Sequence, residues 1–129
     1  KRDWGHARDF VEGIWMIQQQ PEPDDYVLAT GETRSVREFV ERAFGVVGKK
    51  IEWRGEGVDE EGLDKATGEV VVRVDPRFFR PTEINELHGD YSKAKKALGW
   101  EPKISFDQLV REMVEVDLDS LRYAGSQRT

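Results

Sequence analysis

The sequence has 129 residues, enough for one domain with a real core. Its net charge of −6 argues against general nucleic-acid binding, which needs a basic stripe, so any anion must be held by local arginines against an unfavourable global field. With no cysteine, and His6 and His88 as the only histidines, disulfides, thiolate metal sites, cysteine nucleophiles and histidine-rich metal centres are excluded.

Apolar residues make up 37% and charged residues 36%. That is polar for a compact domain, but the apolar residues fall into periodic blocks, so order is expected. From Ala7 to about Gln19, the residues Phe10, Val11, Ile14, Trp15 and Met16 recur at helical spacing. Pro21-Glu22-Pro23-Asp24-Asp25 ends that helix. Tyr26-Val27-Leu28-Ala29-Thr30 reads as a buried strand closed by Gly31.

Ser35-Val36-Arg37-Glu38 has the spacing of a capping box. The helix it opens carries Val36, Phe39, Val40, Ala43, Phe44 and Val47 on one side, with Gly48 as its left-handed terminator. Ile51-Glu52-Trp53 alternates as a strand. Residues 54–69 are rich in glycine and acid and read as a mobile loop. Val70 to Val74 is β-branched and reads as a strand. Pro76 and Pro81 bracket a rigid connection.

Asp90 or Ser92 caps a short helix ended by Gly99, and Trp100 anchors the next turn in the core, as Trp15 does in the first helix. Ser105-Phe106-Asp107-Gln108 is a second capping box. The last helix buries Phe106, Leu109, Val110, Met113 and Val114, with Leu118 and Leu121 continuing the stripe. The expectation is a small mixed α/β lobe with about three short strands. No apolar run is long enough to span a bilayer and no signal peptide is visible, which fits a soluble cytoplasmic protein. The chain starts at Lys1, in the middle of a motif, and reads as a fragment of a longer protein.

The chemistry concentrates in two arginine stretches. Arg2 stands in Arg2-Asp3-Trp4-Gly5-His6, and its planar fork of donors matches phosphate oxygens two at a time. An ion pair with Asp3, Asp9 or Glu12 competes with that reading. Asp9, at the start of a helix, reads as a cap or dipole partner. Arg80 precedes Pro81, which forces an extended backbone and limits the side chain's freedom. Glu83, three residues on, can accept bonds from the two vicinal hydroxyls of a ribose, or pair with Arg80 or Arg77. Arg54, Arg73 and Arg77 lack comparable framing, and His6 alone reads as structural. No catalytic residue and no metal site is visible.

These motifs resemble a family. Arg2-Asp3-Trp4-Gly5-His6, Asp9-Phe10-Val11 and Tyr26 to Gly31 look like the carboxy-terminal part of extended short-chain dehydrogenases/reductases that act on nucleotide-sugars. Gly89-Asp90-Tyr91-Ser92-Lys93-Ala94 and Leu98-Gly99-Trp100-Glu101-Pro102 are similar to the closing signature of that superfamily. Ala29-Thr30-Gly31, Ser35 to Val40, Phe79-Arg80-Pro81-Thr82-Glu83 and Leu109 to Val114 resemble the GDP-mannose 4,6-dehydratases more particularly. Each motif is moderately specific; their order and spacing carry the match across nearly the whole chain.

The resemblance implies a GDP-sugar-binding lobe over residues 1–129, completing a Rossmann-type enzyme whose amino-terminal domain holds NADP and the catalytic residues. That domain is also the implied route to a homo-oligomer. The resemblance places Arg2 near the diphosphate, Arg80 at the phosphates and Glu83 at the ribose. It implies GDP-mannose as substrate and GDP-4-dehydro-6-deoxy-mannose, a deoxyhexose precursor, as product. Hydride would pass from the sugar to NADP, water would leave, and the hydride would return. Two readings stand beside this: another nucleotide-sugar epimerase, dehydratase or decarboxylase, and a non-enzymatic nucleotide- or protein-binding module.

Overall fold

The computed structural model describes residues 1–80 and 84–126. The chain divides into two compact units, Lys1–Val36 with Asn85–Thr129, and Arg37–Ile84. The architecture is mixed α/β, as the element pattern predicts.

In the first unit, β1 (Arg2–Asp3) pairs antiparallel with β2 (Thr33–Arg34), setting Arg2 opposite Arg34 and Asp3 opposite Thr33. The helix α1 (Ala7–Gln18) follows β1. His6 is its N-cap: the ring Nδ1 accepts the Arg8 amide at 3.0 Å and satisfies one of the helix's orphan donors. Its Nε2 lies 3.4 Å from Glu112. The core gathers around Trp100, which is 2% exposed, with Ala29, Ala94 and Val110 also buried. The Trp100 indole N–H donates to the Asp9 carbonyl at 2.9 Å, Tyr91 meets the ring edge-on at 5.9 Å, and Phe10 tilts against it at 6.4 Å. This satisfies the polar atom of a large buried ring while its faces pack.

Two later helices complete this unit. In α3 (Ser92–Leu98), the Asp90 carboxylate accepts the Ser92 amide at 2.9 Å, and Gly99 ends the helix at φ +70°. The long α4 (Phe106–Ser126) opens with the expected capping box: Ser105 Oγ accepts the Gln108 amide at 3.3 Å and Gln108 Oε1 accepts the Ser105 amide at 2.8 Å.

Three expectations for this unit need correction. Residues 26–30 form no strand: no described strand pairs with them, and the Thr30 and Gly31 amides go to the Asp3 carboxylate instead of a ladder. Trp15 is 63% exposed, on the opposite side of α1 from buried Asp9 and Gly13, beside exposed Val11 and Ile14. The apolar residues of α1 occupy more than one stripe, and only the stripe facing Trp100 is covered here. On α4, Val110 is buried, but Met113 at 47% and Leu121 at 69% are exposed. Met113 lies off the core face, and Leu121 lies beyond the reach of the Trp100 cluster.

The second unit holds most of α2 (Val36–Val46) and a three-stranded antiparallel sheet. The strands β3 (Ile51–Arg54), β4 (Glu61–Asp64) and β5 (Val70–Arg73) run as a meander in that order. Gly48 sits at φ +75° just past α2. The strand β4 lies inside the segment read as a loop, with a single 3-10 turn, Gly57–Asp59, before it. Its inward positions are Gly62 and Asp64, so it carries no apolar alternation to recognise. A Cβ on Gly62 would stand 3.0–3.1 Å from Ile51, Trp53 and Val72, whose side chains close over it.

Charges hold this unit's edges. Asp64, buried at its side chain, accepts Lys49 Nζ at 2.7 Å and the Ala66 amide at 3.0 Å. These bonds hold its carboxyl below the usual carboxylate range, and the Asp64 bond raises Lys49 above the usual lysine range. Trp53 donates to Glu41 at 2.8 Å, and the Arg37 guanidinium lies 5.3 Å from its ring centre.

Candidate functional site

The first half of the candidate site is built on β1. Its ladder with β2 is only two residue pairs long, too short to fix a strand alone. The Asp3 carboxylate does most of the fastening. One oxygen accepts the Thr30 amide at 2.8 Å and the Thr30 hydroxyl at 2.6 Å. The other accepts the Gly31 amide at 3.0 Å and the Gly89 amide at 3.3 Å. Thr30 Oγ1 in turn accepts the Glu32 amide at 3.2 Å, just before β2. Trp4 donates its indole N–H to the Arg34 carbonyl at 3.0 Å.

Beside this knot, Gly31, Glu32, Thr33, Arg34, Glu86 and His88 line an open cleft. His88 Nε2–H donates to the Gly31 carbonyl at 2.9 Å. The Thr33 hydroxyl donates to Glu86 at 2.7 Å, which with nearby Lys1 holds that carboxyl below its usual range. The residue Arg34, directly across the ladder from Arg2, was not legible in the sequence: two-residue strands leave no periodic signal, and their pairing is long-range.

The three carboxylates that compete for Arg2 in the sequence are committed to other donors. Asp3 is taken by backbone amides and a hydroxyl. Asp9, 3% exposed, accepts the Lys103 and Ile104 amides at 3.0 Å each. It therefore anchors the segment before α4; of the two roles expected of it, the cap falls to His6, and Asp9 stands in the first turn of α1, where a dipole partner would. Glu12 pairs with Lys103 Nζ at 2.5 Å. Arg2 itself donates to the Lys1 carbonyl at 2.8 Å.

The other arginines sort clearly. Arg54 and Arg73 share Glu61, at 2.7 and 3.0 Å. Arg77 grips Asp75 through two nitrogens, which lowers the Asp75 pKa. Arg80 is exposed, and no described residue hydrogen-bonds or ion-pairs with it. Glu83 lies outside the described residues. Arg2 belongs to the first unit and Arg80 to the second.

Among the described residues, no helix is long and apolar enough to cross a membrane. The described strands pair only antiparallel, so none builds the parallel strand–turn–helix unit that cradles a dinucleotide. The described residues of this chain do not by themselves fit NADP.

Comparison with known proteins fits the order of these motifs. The family model described as GDP-mannose 4,6 dehydratase matches residues 1–113. The chain is 54% identical over 122 residues to the GDP-mannose 4,6 dehydratase of Drosophila melanogaster, covering 95% of this chain and 31% of that protein. It is 53% identical to that of Homo sapiens, covering 95% and 33%, and 58% identical to that of Sinorhizobium fredii, covering 95% and 35%. The chain thus spans about a third of the length of these curated relatives. With the arginine-bearing β1, the Asp3 knot and the Trp100 core all falling within the matched residues, this chain belongs to the GDP-mannose 4,6-dehydratase family.

Proposed function

We propose that this chain is the carboxy-terminal, GDP-sugar-binding part of a GDP-mannose 4,6-dehydratase. The complete enzyme would convert GDP-mannose to GDP-4-dehydro-6-deoxy-mannose with loss of water, using NADP. The cofactor and the catalytic groups would belong to the part of the enzyme outside this chain. NADP would supply the hydride chemistry there. This chain's residues would bind and orient the substrate. Arg2 and Arg80 would hold the diphosphate and Glu83 the ribose. Binding energy spent far from the reacting carbon would then align the sugar.

The observation that carries this reading is the contrast between Arg80 and its neighbours. Arg54, Arg73 and Arg77 are neutralised by Glu61 and Asp75, whereas exposed Arg80 meets no described carboxylate. An arginine that meets no described carboxylate is a better candidate for a phosphate than three that do. For Arg2 the support is its place on β1, directly across the ladder from Arg34, which lines the open cleft. The uncovered apolar side of α1, with Val11, Ile14 and Trp15 all more than half exposed, also suits a lobe that meets the remainder of a larger enzyme.

The test is GDP binding by Arg2→Ala and Arg80→Ala. Each loses a charge-assisted contact worth about 1.5–3 kcal/mol, a roughly 10- to 150-fold weaker Kd. Unchanged affinity in a folded variant returns that arginine to a structural role. Turnover of GDP-mannose against a panel of UDP-sugars decides the substrate. Conversion of a UDP-sugar alone would favour a neighbouring epimerase or decarboxylase, and no turnover at all a binding module.

A further inference from the structure

The structure assigns Asp3 as the positioning residue for Arg2, an inference that rests on the proposed diphosphate role of that arginine. Side chains one residue apart on a strand leave it on opposite faces. A fixed Asp3 therefore fixes the face from which Arg2 emerges. The two-pair ladder between β1 and β2 cannot supply that rigidity, and four donors on one carboxylate can. These donors come from two distant stretches, Thr30–Gly31 and Gly89. Through Thr30 Oγ1 and the Glu32 amide the same network reaches the start of β2.

The geometry leaves little slack. A Cβ at Gly89 would stand 2.2 Å from the Ala29 Cβ and 3.4 Å from Asp3 Oδ2, so the Gly89 amide reaches the carboxylate only because residue 89 is glycine. Both Asp3 oxygens face hydrogen-bond donors. Asparagine, the same shape, carries one oxygen and one NH2 group. In either orientation the NH2 faces at least one backbone N–H, and at least one bond on that side is lost. The charge-assisted character of the rest is lost as well. Arg2 would keep its charge and lose its aim.

The experiment is a double-mutant cycle read by calorimetric GDP titration of the full-length protein, using Asp3→Asn, Arg2→Ala and the pair. If Asp3 acts through Arg2, Asp3→Asn weakens GDP about fivefold in the parent, a coupling of about 1 kcal/mol. It then changes the affinity of the Arg2→Ala protein less than about twofold. In steady state the loss falls on KM more than on kcat, because a uniform binding contact is what has loosened. An equal loss in both backgrounds, or none in the parent, overturns the assignment while leaving the role of Arg2 standing. No loss in Arg2→Ala itself refutes the diphosphate reading, and the assignment with it. Where Asp3→Asn does not fold, Thr30→Val removes the 2.6 Å hydroxyl bond and keeps the amides, and the same cycle with that variant decides by the same criterion.

Discussion

Replacing Asp9 by asparagine tests the central joint of the first unit. The carboxylate is 3% exposed, and one of its oxygens accepts two amides, those of Lys103 and Ile104, each at 3.0 Å. A hydrogen bond to a charged group contributes roughly 1.5–3 kcal/mol and a neutral one roughly 0.5–1.5. The asparagine amide can offer one oxygen in the same place. The substitution therefore exchanges two charge-assisted bonds for two neutral ones, a loss of about 2 kcal/mol. Asp9→Ala goes further and leaves both amides unanswered, at roughly 1–3 kcal/mol each. The α1 backbone and the Asp9 carbonyl that receives Trp100 remain in both variants, so the difference isolates the carboxylate. Thermal and urea denaturation followed by circular dichroism would read it. For a chain of this size about 2 kcal/mol corresponds to a Tm fall of roughly 6–12 °C. A shift under about 0.5 kcal/mol for Asp9→Asn, or an Asp9→Ala protein no less stable than Asp9→Asn, would refute the reasoning.

Trp100→Phe removes the donor to the Asp9 carbonyl and part of a ring that is 2% exposed. It should cost about 2–3 kcal/mol, against about 3–5 for Trp100→Ala, and denaturation midpoints check the ranking. Gly89→Ala, with its Cβ 2.2 Å from the Ala29 Cβ, should destabilise by about 1–3 kcal/mol, and an unchanged midpoint would show that the 86–89 segment yields freely. In the second unit, the lowered Asp64 pKa means that its stabilising contribution is full above the unfolded value near 3.9 and is lost as pH falls through the lower folded one. Asp64→Asn should thus flatten the loss of stability below about pH 4, which an acid titration monitored by far-ultraviolet circular dichroism measures. The raised Lys49 has the opposite sign: its share is present below the ordinary lysine pKa and disappears as pH rises through the folded one.

The helices were legible because each carried its signals within a few neighbouring residues. Ser105 and Gln108 closed a capping box on themselves, and Gly99 supplied the left-handed stop. The anchor Trp100 was legible from its turn. The strands that pattern missed share a physical reason: β1 and β2 have two residues each, below any period, and β4 turns a glycine and an aspartate inward.

Local sequence by itself determined where helices begin and end, and which arginines sit on constrained backbone. Family motifs in order pointed to a GDP-sugar. Only the tertiary structure decided what each charge is spent on. Asp3 and Asp9, both candidates for pairing with Arg2, turned out to bind amides 27, 28 and 86 residues away and 94 and 95 residues away, respectively. Trp15 and Trp100 carry the same side chain, yet one is 63% exposed and the other 2%. Burial and partner choice depend on which distant segments arrive, and a one-dimensional pattern does not contain that.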